Sequence, residues 1–146
     1  MTSFEELPYP EYDIFTSGCH WIVNPINCVG VMGGGLAADF RKKWPEMNSE
    51  YEKLCAERKI MIGHVWIYND HIVCFPTKVH YAFPSKIQYI VNGMVDLVEQ
   101  IIASGTKSIG IPKLGCGLGG LDWILVKPII TAALQNIDEL NVKLYV

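Results

Sequence analysis

The sequence predicts an α/β fold: a three-layer α/β/α sandwich on a mixed, mostly parallel central sheet. Three observations carry this expectation. Short β-rich apolar runs alternate with segments of helical periodicity, as they do when crossover helices join parallel strands. Two glycine-rich stretches, Gly30–Ala38 (G-V-M-G-G-G-L-A-A) and Leu114–Trp123 (L-G-C-G-L-G-G-L-D-W), each lie between a strand-like run and a helix-like one. One hairpin signal in the middle of the chain makes the sheet mixed.

Residues 1–11, with Pro8 and Pro10, read as an irregular lead-in. Trp21–Val23, entering Asn24, reads as a buried strand. Leu36–Trp44 reads as a helix stopped by Pro45, and Asn48 to about Lys59 as a second helix with Tyr51, Leu54 and Cys55 on one face. His64–Tyr68 and Ile72–Phe75 flank Asn69-Asp70 and read as a hairpin, although His71 follows where glycine is favoured. Lys86–Ser104 is the clearest helix. Ile87, Ile90, Val91, Met94, Leu97, Val98, Ile101 and Ile102 form its buried stripe, Ser85 is a candidate N-cap, and Gly105 stands where a C-terminal glycine belongs. Lys107–Ile111 reads as a strand, Val126–Ile137 as a helix with Pro128 tolerated in its first turn, and Val142–Val146 as the last strand.

Length and composition bound the function. The 146 residues suit one domain, 1–146, with a core large enough to fold without staples. Half the residues are hydrophobic and 18% are charged, which excludes a disordered chain. No apolar run reaches the roughly 18 residues that span a bilayer, and the acidic first twenty residues do not resemble a secretory signal. Five cysteines without a C-x-x-C pair argue against a disulfide framework or zinc site, so a cytoplasmic monomer with no metal, no cofactor and no membrane partner is expected. A net charge of −3 disfavours broad coating of nucleic acid but leaves room for a local basic groove.

The glycine loops carry the chemistry. Glycine lets the backbone approach a ligand closely, and unpaired N–H groups at a helix start attract anions. Two such loops suggest a clamp on a diphosphate, hence a nucleotide-like ligand. Neither loop fits G-x-x-x-x-G-K-S/T. Gly115, Gly117 and Gly120 fit G-x-G-x-x-G, but too near the C-terminus for a second half of a dinucleotide-binding fold.

The fuller pattern includes Asp13-Ile14, Ile22-Val23-Asn24-Pro25-Ile26-Asn27, Gly33-Gly34-Gly35-Leu36-Ala37, and Ile111 through Gly120. In this order it resembles a macro domain, the ADP-ribose-binding α/β/α module. V-G-V-M-G after Asn27, F-P-T-K at Phe75–Lys78 and G-G-L-D-W at Gly119–Trp123 resemble the DarG antitoxin branch, whose members are DNA ADP-ribosyl glycohydrolases. The chain departs from the pattern at Tyr12, Pro25, Ile26, Gly34 and Val79, and it ends at Val146 without the antitoxin's C-terminal part.

The resemblance implies a set of roles. Asp13 and Ile14 read adenine, and Asn27 orients the distal ribose. Gly33, Gly34, Gly35, Leu36 and Ala37 form the first phosphate loop. Leu114, Gly115, Cys116, Gly117, Leu118, Gly119 and Gly120 form the second. Thr77 offers a hydroxyl to phosphate or ribose, and Lys78 is catalytic at the anomeric carbon. A lysine there could act as nucleophile or proton donor. The expected ligand or product is ADP-ribose and the expected partner ADP-ribosylated DNA, in a toxin–antitoxin-like or phage-defence setting. A non-catalytic ADP-ribose reader, or a hydrolase of ADP-ribose-1″-phosphate or ADP-ribosylated protein, are the alternatives. Asp122 reads more readily as a helix N-cap than as a general acid, and Cys116 as a small loop residue. His80 is a candidate substrate contact, and Arg41, Lys42 and Lys43 are candidate steering cations for a polynucleotide.

Overall fold

Alternation within the strands sorts the apolar residues onto the two faces of one sheet. In the computed structural model, which describes residues 1–146, the strands are β1 (Ser3–Leu7), β2 (Trp21–Asn27), β3 (Trp66–Tyr68), β4 (Ile72–Lys78), β5 (Ser108–Pro112) and β6 (Asn141–Tyr145). The helices are α1 (Gly35–Lys43), α2 (Pro45–Ala56), α3 (Ile87–Ser104) and α4 (Trp123–Leu134). The sheet runs β1-β6-β5-β2-β4-β3, parallel throughout except for β3 against β4. Trp21, Val23, Val73, Phe75, Ile109 and Ile111 face α3 and α4, in one core cluster with Ile90, Met94, Leu97, Ile130 and Leu134. Ile22, Ile26, Ile72 and Cys74 face α1 and α2, with Phe40, Met47 and Tyr51. The expected three layers and mixed sheet are present. Because both faces are covered, β2 and β4 read as continuous apolar runs.

Several element boundaries differ from expectation for identifiable reasons. The lead-in holds β1, which pairs in parallel with β6 from Ser3↔Asn141 to Leu7↔Tyr145. It is an edge strand with only Leu7 buried, so it shows no alternation to read. Pro45 both ends α1 and opens α2, where its fixed φ and missing N–H suit the first helical position. Asp122 caps α4 by accepting from Ile124 N (3.0 Å), so that helix starts at Trp123 and Pro128 falls inside it. Ser85 does not cap α3. Its hydroxyl donates to Thr77 O (2.6 Å), and Lys86 occupies the cap position without a side-chain bond. Gly105 closes α3 at φ 73°, as expected.

The β3–β4 turn takes the expected hairpin form, with Asn69 at φ 52° and Asp70 at φ 50°. The Asp70 carboxylate accepts from the Trp21 indole (3.1 Å) and from His20 Nε2 (3.0 Å). These bonds hold its carboxyl below the usual carboxylate range, the Trp21 bond contributing most. A depressed folded pKa stabilises the fold above the unfolded value, about 3.9, and that stabilisation vanishes as pH falls through the folded value. Asp70→Asn preserves the turn, since Asn also tolerates left-handed φ. It is expected to melt below the wild type at pH 7, with the gap closing as pH falls below the ordinary carboxylate range. A gap constant from pH 2 to 7 in thermal melts would contradict this linkage.

Candidate functional site

Strands β2 and β5 are neighbours, but their pairing covers only Trp21↔Ile109 and Ile22↔Gly110. Beyond that point the chain leaves β2 toward the α1 face and leaves β5 toward the α4 face. A crevice opens where such connections diverge at the carboxyl ends of parallel strands. Both glycine loops lie there, one after each strand. Pro25 and Pro112 line the crevice floor. Pro25, in a central strand, falls where β2 retains only β4 as a paired neighbour, so its missing N–H breaks no bond to β5.

The cleft has a volume of about 1420 Å³. Val31 and Gly33–Ala37 form one wall, and Lys113, Gly115, Gly117, Leu118 and Gly119 the other. Ile26, Asn27, Thr77 and Lys78 lie between them, and Tyr9, Tyr12–Phe15, Tyr145 and Val146 surround one end. In the first loop, no amide from Gly33 to Ala37 donates to any group of the chain. Gly35 starts α1 at φ 57°, a conformation that glycine adopts freely. In the second loop the amides of Gly117, Leu118 and Gly119 are likewise unpaired. Turn bonds Leu121 N to Gly115 O (2.9 Å) and Gly120 N to Gly117 O (3.2 Å) hold that loop. A Cβ at Gly119 would stand 2.4 Å from the Gly115 carbonyl oxygen, so the close approach there requires glycine. Two arrays of unpaired donors, one at a helix start, form anion-attracting concavities facing one cleft.

A register shift beside the cleft places the lysine. β2 pairs Ile26 with Pro76 and then Asn27 with Lys78, leaving Thr77 as the extra residue of a bulge. Half-buried Lys78 therefore stands next to Asn27, and its Nζ donates to Tyr81 O (3.3 Å). Thr77 is buried, with Oγ1 at 3.5 Å from Ile26 O. Asn27 is largely committed within the chain. Its Nδ2 donates to Val31 O (2.7 Å), while its Oδ1 accepts from Val29 N (3.1 Å) and the Tyr51 hydroxyl (2.7 Å). An amide carries two N–H donors, so one remains for a ligand. Burial pushes the Tyr51 phenol well above its ordinary value, which keeps it a neutral donor to Asn27. Asp13 caps the short 3-10 turn Ile14–Thr16 by accepting from Phe15 N (2.9 Å), and its second carboxylate oxygen has no partner.

Of the site residues expected from the sequence, Asp13, Ile14, Asn27, Gly33–Ala37, Thr77, Lys78, Gly115, Gly117, Leu118 and Gly119 line this cleft. Leu114, Cys116 and Gly120 do not. Leu114 is fully buried in the core under α3 and α4, and Cys116 packs on the same cluster. Burial raises the Cys116 thiol above its ordinary range, so it is not an activated nucleophile. Gly120 makes the turn at φ 79° that leads to Leu121. His80 also lies outside the cleft, stacked on Tyr81 at 4.2 Å between ring centroids. Lys42 and Lys43 do line it, with Lys43 Nζ 5.0 Å from the centre of the Phe15 ring. Sequence reading missed Tyr9, Phe15, Val31, Asp39, Tyr81, Lys113, Tyr145 and Val146. Lys113 was within reach, since it directly precedes the second loop. Tyr145 and Val146 had no signal, because they arrive through β6.

Comparisons with known proteins bear on the family and the fold. The macro domain family model matches residues 23–130. A DNA ADP-ribosyl glycohydrolase of Mycobacterium tuberculosis is 36% identical over 146 residues, covering 95% of this chain and 42% of that protein. The chain therefore spans less than half the length of these curated relatives. The solved macrodomain of Mycobacterium tuberculosis DarG superposes with a TM-score of 0.91 at 34% identity, covering 99% of this chain and 97% of that one. A structure of Thermosipho africanus DarTG in complex with ADP-ribose superposes with a TM-score of 0.88 at 30% identity, covering 98% of this chain and 41% of that one. By the extent of the family match, the identity to its relatives and the superposition of the fold, this chain belongs to the macro domain family.

Proposed function

We propose that this chain binds ADP-ribose in the two-loop cleft and hydrolyses the glycosidic bond that joins it to a base of DNA. The observation that carries the reading is the placement of Lys78 on the cleft floor between two arrays of unpaired amides. The amides of Gly33–Ala37 and of Gly117–Gly119 hold the diphosphate from its two sides. The free oxygen of Asp13 accepts from the adenine amine, and the remaining Asn27 Nδ2 donor meets the distal ribose. Lys78 then acts at the anomeric carbon. Water supplies hydroxide to that carbon and a proton to the departing base nitrogen. A bound nucleoside diphosphate is neutralised in part by Lys42, Lys43, Lys78 and Lys113, none of which is in an ion pair. The names of the DarG relatives support DNA as the target, and the DarTG complex supports ADP-ribose as the ligand.

The first test is thermodynamic. ADP-ribose is expected to bind in calorimetry and to raise the melting temperature through linkage. AMP, which lacks the second phosphate and distal ribose, is expected to bind more weakly and shift it less. Equal affinities would refute the two-sided clamp. A turnover panel of ADP-ribosylated thymidine, ADP-ribosylated guanosine, ADP-ribosyl-glutamate protein and ADP-ribose-1″-phosphate then tests the linkage. Turnover of only the last two would replace DNA as the target.

A further inference from the structure

Helix α1 carries two cations at the end remote from the first phosphate loop. Its first residue, Gly35, belongs to that loop. Lys42 and Lys43 lie in its last turn, roughly 10–12 Å further along the axis at 1.5 Å per residue. Both line the cleft, and neither is in an ion pair. Phe15 fixes which part of the cleft they face. Its ring packs 4.7 Å from that of Phe40 and 6.0 Å from that of Trp44, and Lys43 Nζ stands 5.0 Å from its centre. Phe15 belongs to the 3-10 turn that Asp13 caps. The same turn sits over β5, where a Cβ on Gly110 would stand 3.2 Å from Ile14 Cγ1. Lys78 ends β4, two strands away in the order β5-β2-β4, or about 10 Å at the usual strand spacing. The two cations therefore face the Asp13 end of the cleft, away from Lys78.

An ADP-ribose held as proposed above leaves this pair without a contact. Its phosphates lie at the loop amides, where Lys42 and Lys43 act on them only through their field, and its adenine lies at Asp13. Neither adenine nor the adenosine ribose carries a charge. The carboxylates nearby do not answer the lysines. Asp13 accepts from Phe15 N and, in that placement, from the adenine amine. Asp39 lies one turn before the lysines on α1 and lines the cleft, but it forms no ion pair with them. Tyr9 and Tyr12 line the same end at 73% and 44% exposure, and each phenol adds a donor. Two ammoniums and two phenols suit one compact, doubly charged acceptor. A phosphate monoester is such a group, with close to two negative charges at neutral pH and three acceptor oxygens. A diester carries a single charge.

We propose that Lys42, Lys43, Tyr9 and Tyr12 form a subsite for a phosphate monoester on the adenosine ribose, so that the cleft prefers ADP-ribose phosphorylated at that sugar. This rests on the reading of the cleft as an ADP-ribose site with adenine at Asp13, and the test separates the two.

Calorimetry with two ligand pairs reads the subsite without requiring catalysis. The members of each pair differ only by the phosphate in question: ADP-ribose with 2′-phospho-ADP-ribose, and 5′-AMP with adenosine 2′,5′-bisphosphate. In both pairs the phosphorylated member is expected to bind at least about tenfold tighter, the lower range for hydrogen bonds to a charged group. In the double variant Lys42→Gln/Lys43→Gln that ratio is expected to fall close to unity. The ratio is the readout because it is insensitive to any change in affinity for ADP-ribose itself. Equal affinities within both pairs in the wild type, or a ratio that survives in the double variant, overturns the proposal. A linear ADP-ribose dimer joined through the adenosine ribose is expected to gain less than the monoester. A larger gain for the dimer assigns the lysines to the next unit of a chain and also overturns it. ADP-ribose bound no better than 5′-AMP, with a lysine-dependent ratio between 5′-AMP and the bisphosphate, rejects the two-loop clamp and leaves the subsite standing.

Discussion

Lys78→Ala is expected to lower the single-turnover rate on an ADP-ribosylated nucleoside by at least about 100-fold, the lower range for a positioned proton-transfer or nucleophilic group. Affinity for ADP-ribose is expected to change far less, because the loop amides and Asp13 hold the ligand without it. Lys78→Arg discriminates among mechanisms. It retains the positive charge beside Asn27, but guanidinium does not deprotonate near neutral pH and so serves as neither base nor nucleophile. Arg is therefore expected to fail almost as badly as Ala. Hydrolysis by Lys78→Arg at nearly the wild-type rate would show that the cleft needs only a cation there. Loss of ADP-ribose binding in both variants would instead make Lys78 a ligand-holding residue. Rapid-quench turnover and calorimetry on the same preparations separate these outcomes.

Gly117→Glu is expected to abolish ADP-ribose binding while leaving the melting temperature unchanged. Gly117 is the cleanest position for this test. It has no positive φ, and a Cβ there meets nothing within 4 Å, so the backbone accepts a side chain without strain. Gly35 is less suitable because it sits at φ 57°. A carboxylate on Gly117 faces the same cleft as the unpaired Leu118 and Gly119 amides. At about 4 Å from a phosphate, with an effective dielectric near 20, the repulsion is on the order of 4 kcal/mol, or about a thousandfold in Kd. Gly117→Gln has the same bulk without the charge and is expected to lose much less. Equal losses for Glu and Gln would point to simple obstruction. Normal binding by a folded Gly117→Glu would remove the second loop from the phosphate site.

The layers and the loops were legible because their signals are local. Apolar runs buried on both faces mark β2 and β4, and the consecutive glycines at Gly33–Gly35 and Gly119–Gly120 stand out. What sequence reading missed arises from distant contacts. Ser3 pairs with Asn141, so β1 exists only because the far end of the chain lies beside it. Within the second loop, residue spacing does not tell which side chains point into the cleft. Cys116 turns onto the core while Leu118 is exposed, and that choice depends on the φ values of Gly115 and Gly120. Nothing in the sequence set Tyr81 and Phe83 apart as exposed aromatics. Their exposure follows from the turn at His80, which no motif announces. Asn27 lines the cleft, and its bond to Tyr51 depends on where α2 packs.

Ser85 joins parts of the cleft that are distant in sequence. It is 5% exposed, its amide holds the Gly119 carbonyl, its hydroxyl holds the Thr77 carbonyl, and a Cβ on Gly115 would crowd it. If the second loop lifts to let go of a product, it must first release that amide, and the strain passes to the peptide preceding Lys78. Letting go and losing aim then become a single motion. On the proposed reading, a second loop held open also loosens the strand end that carries Lys78, so grip and chemistry are coupled through Ser85.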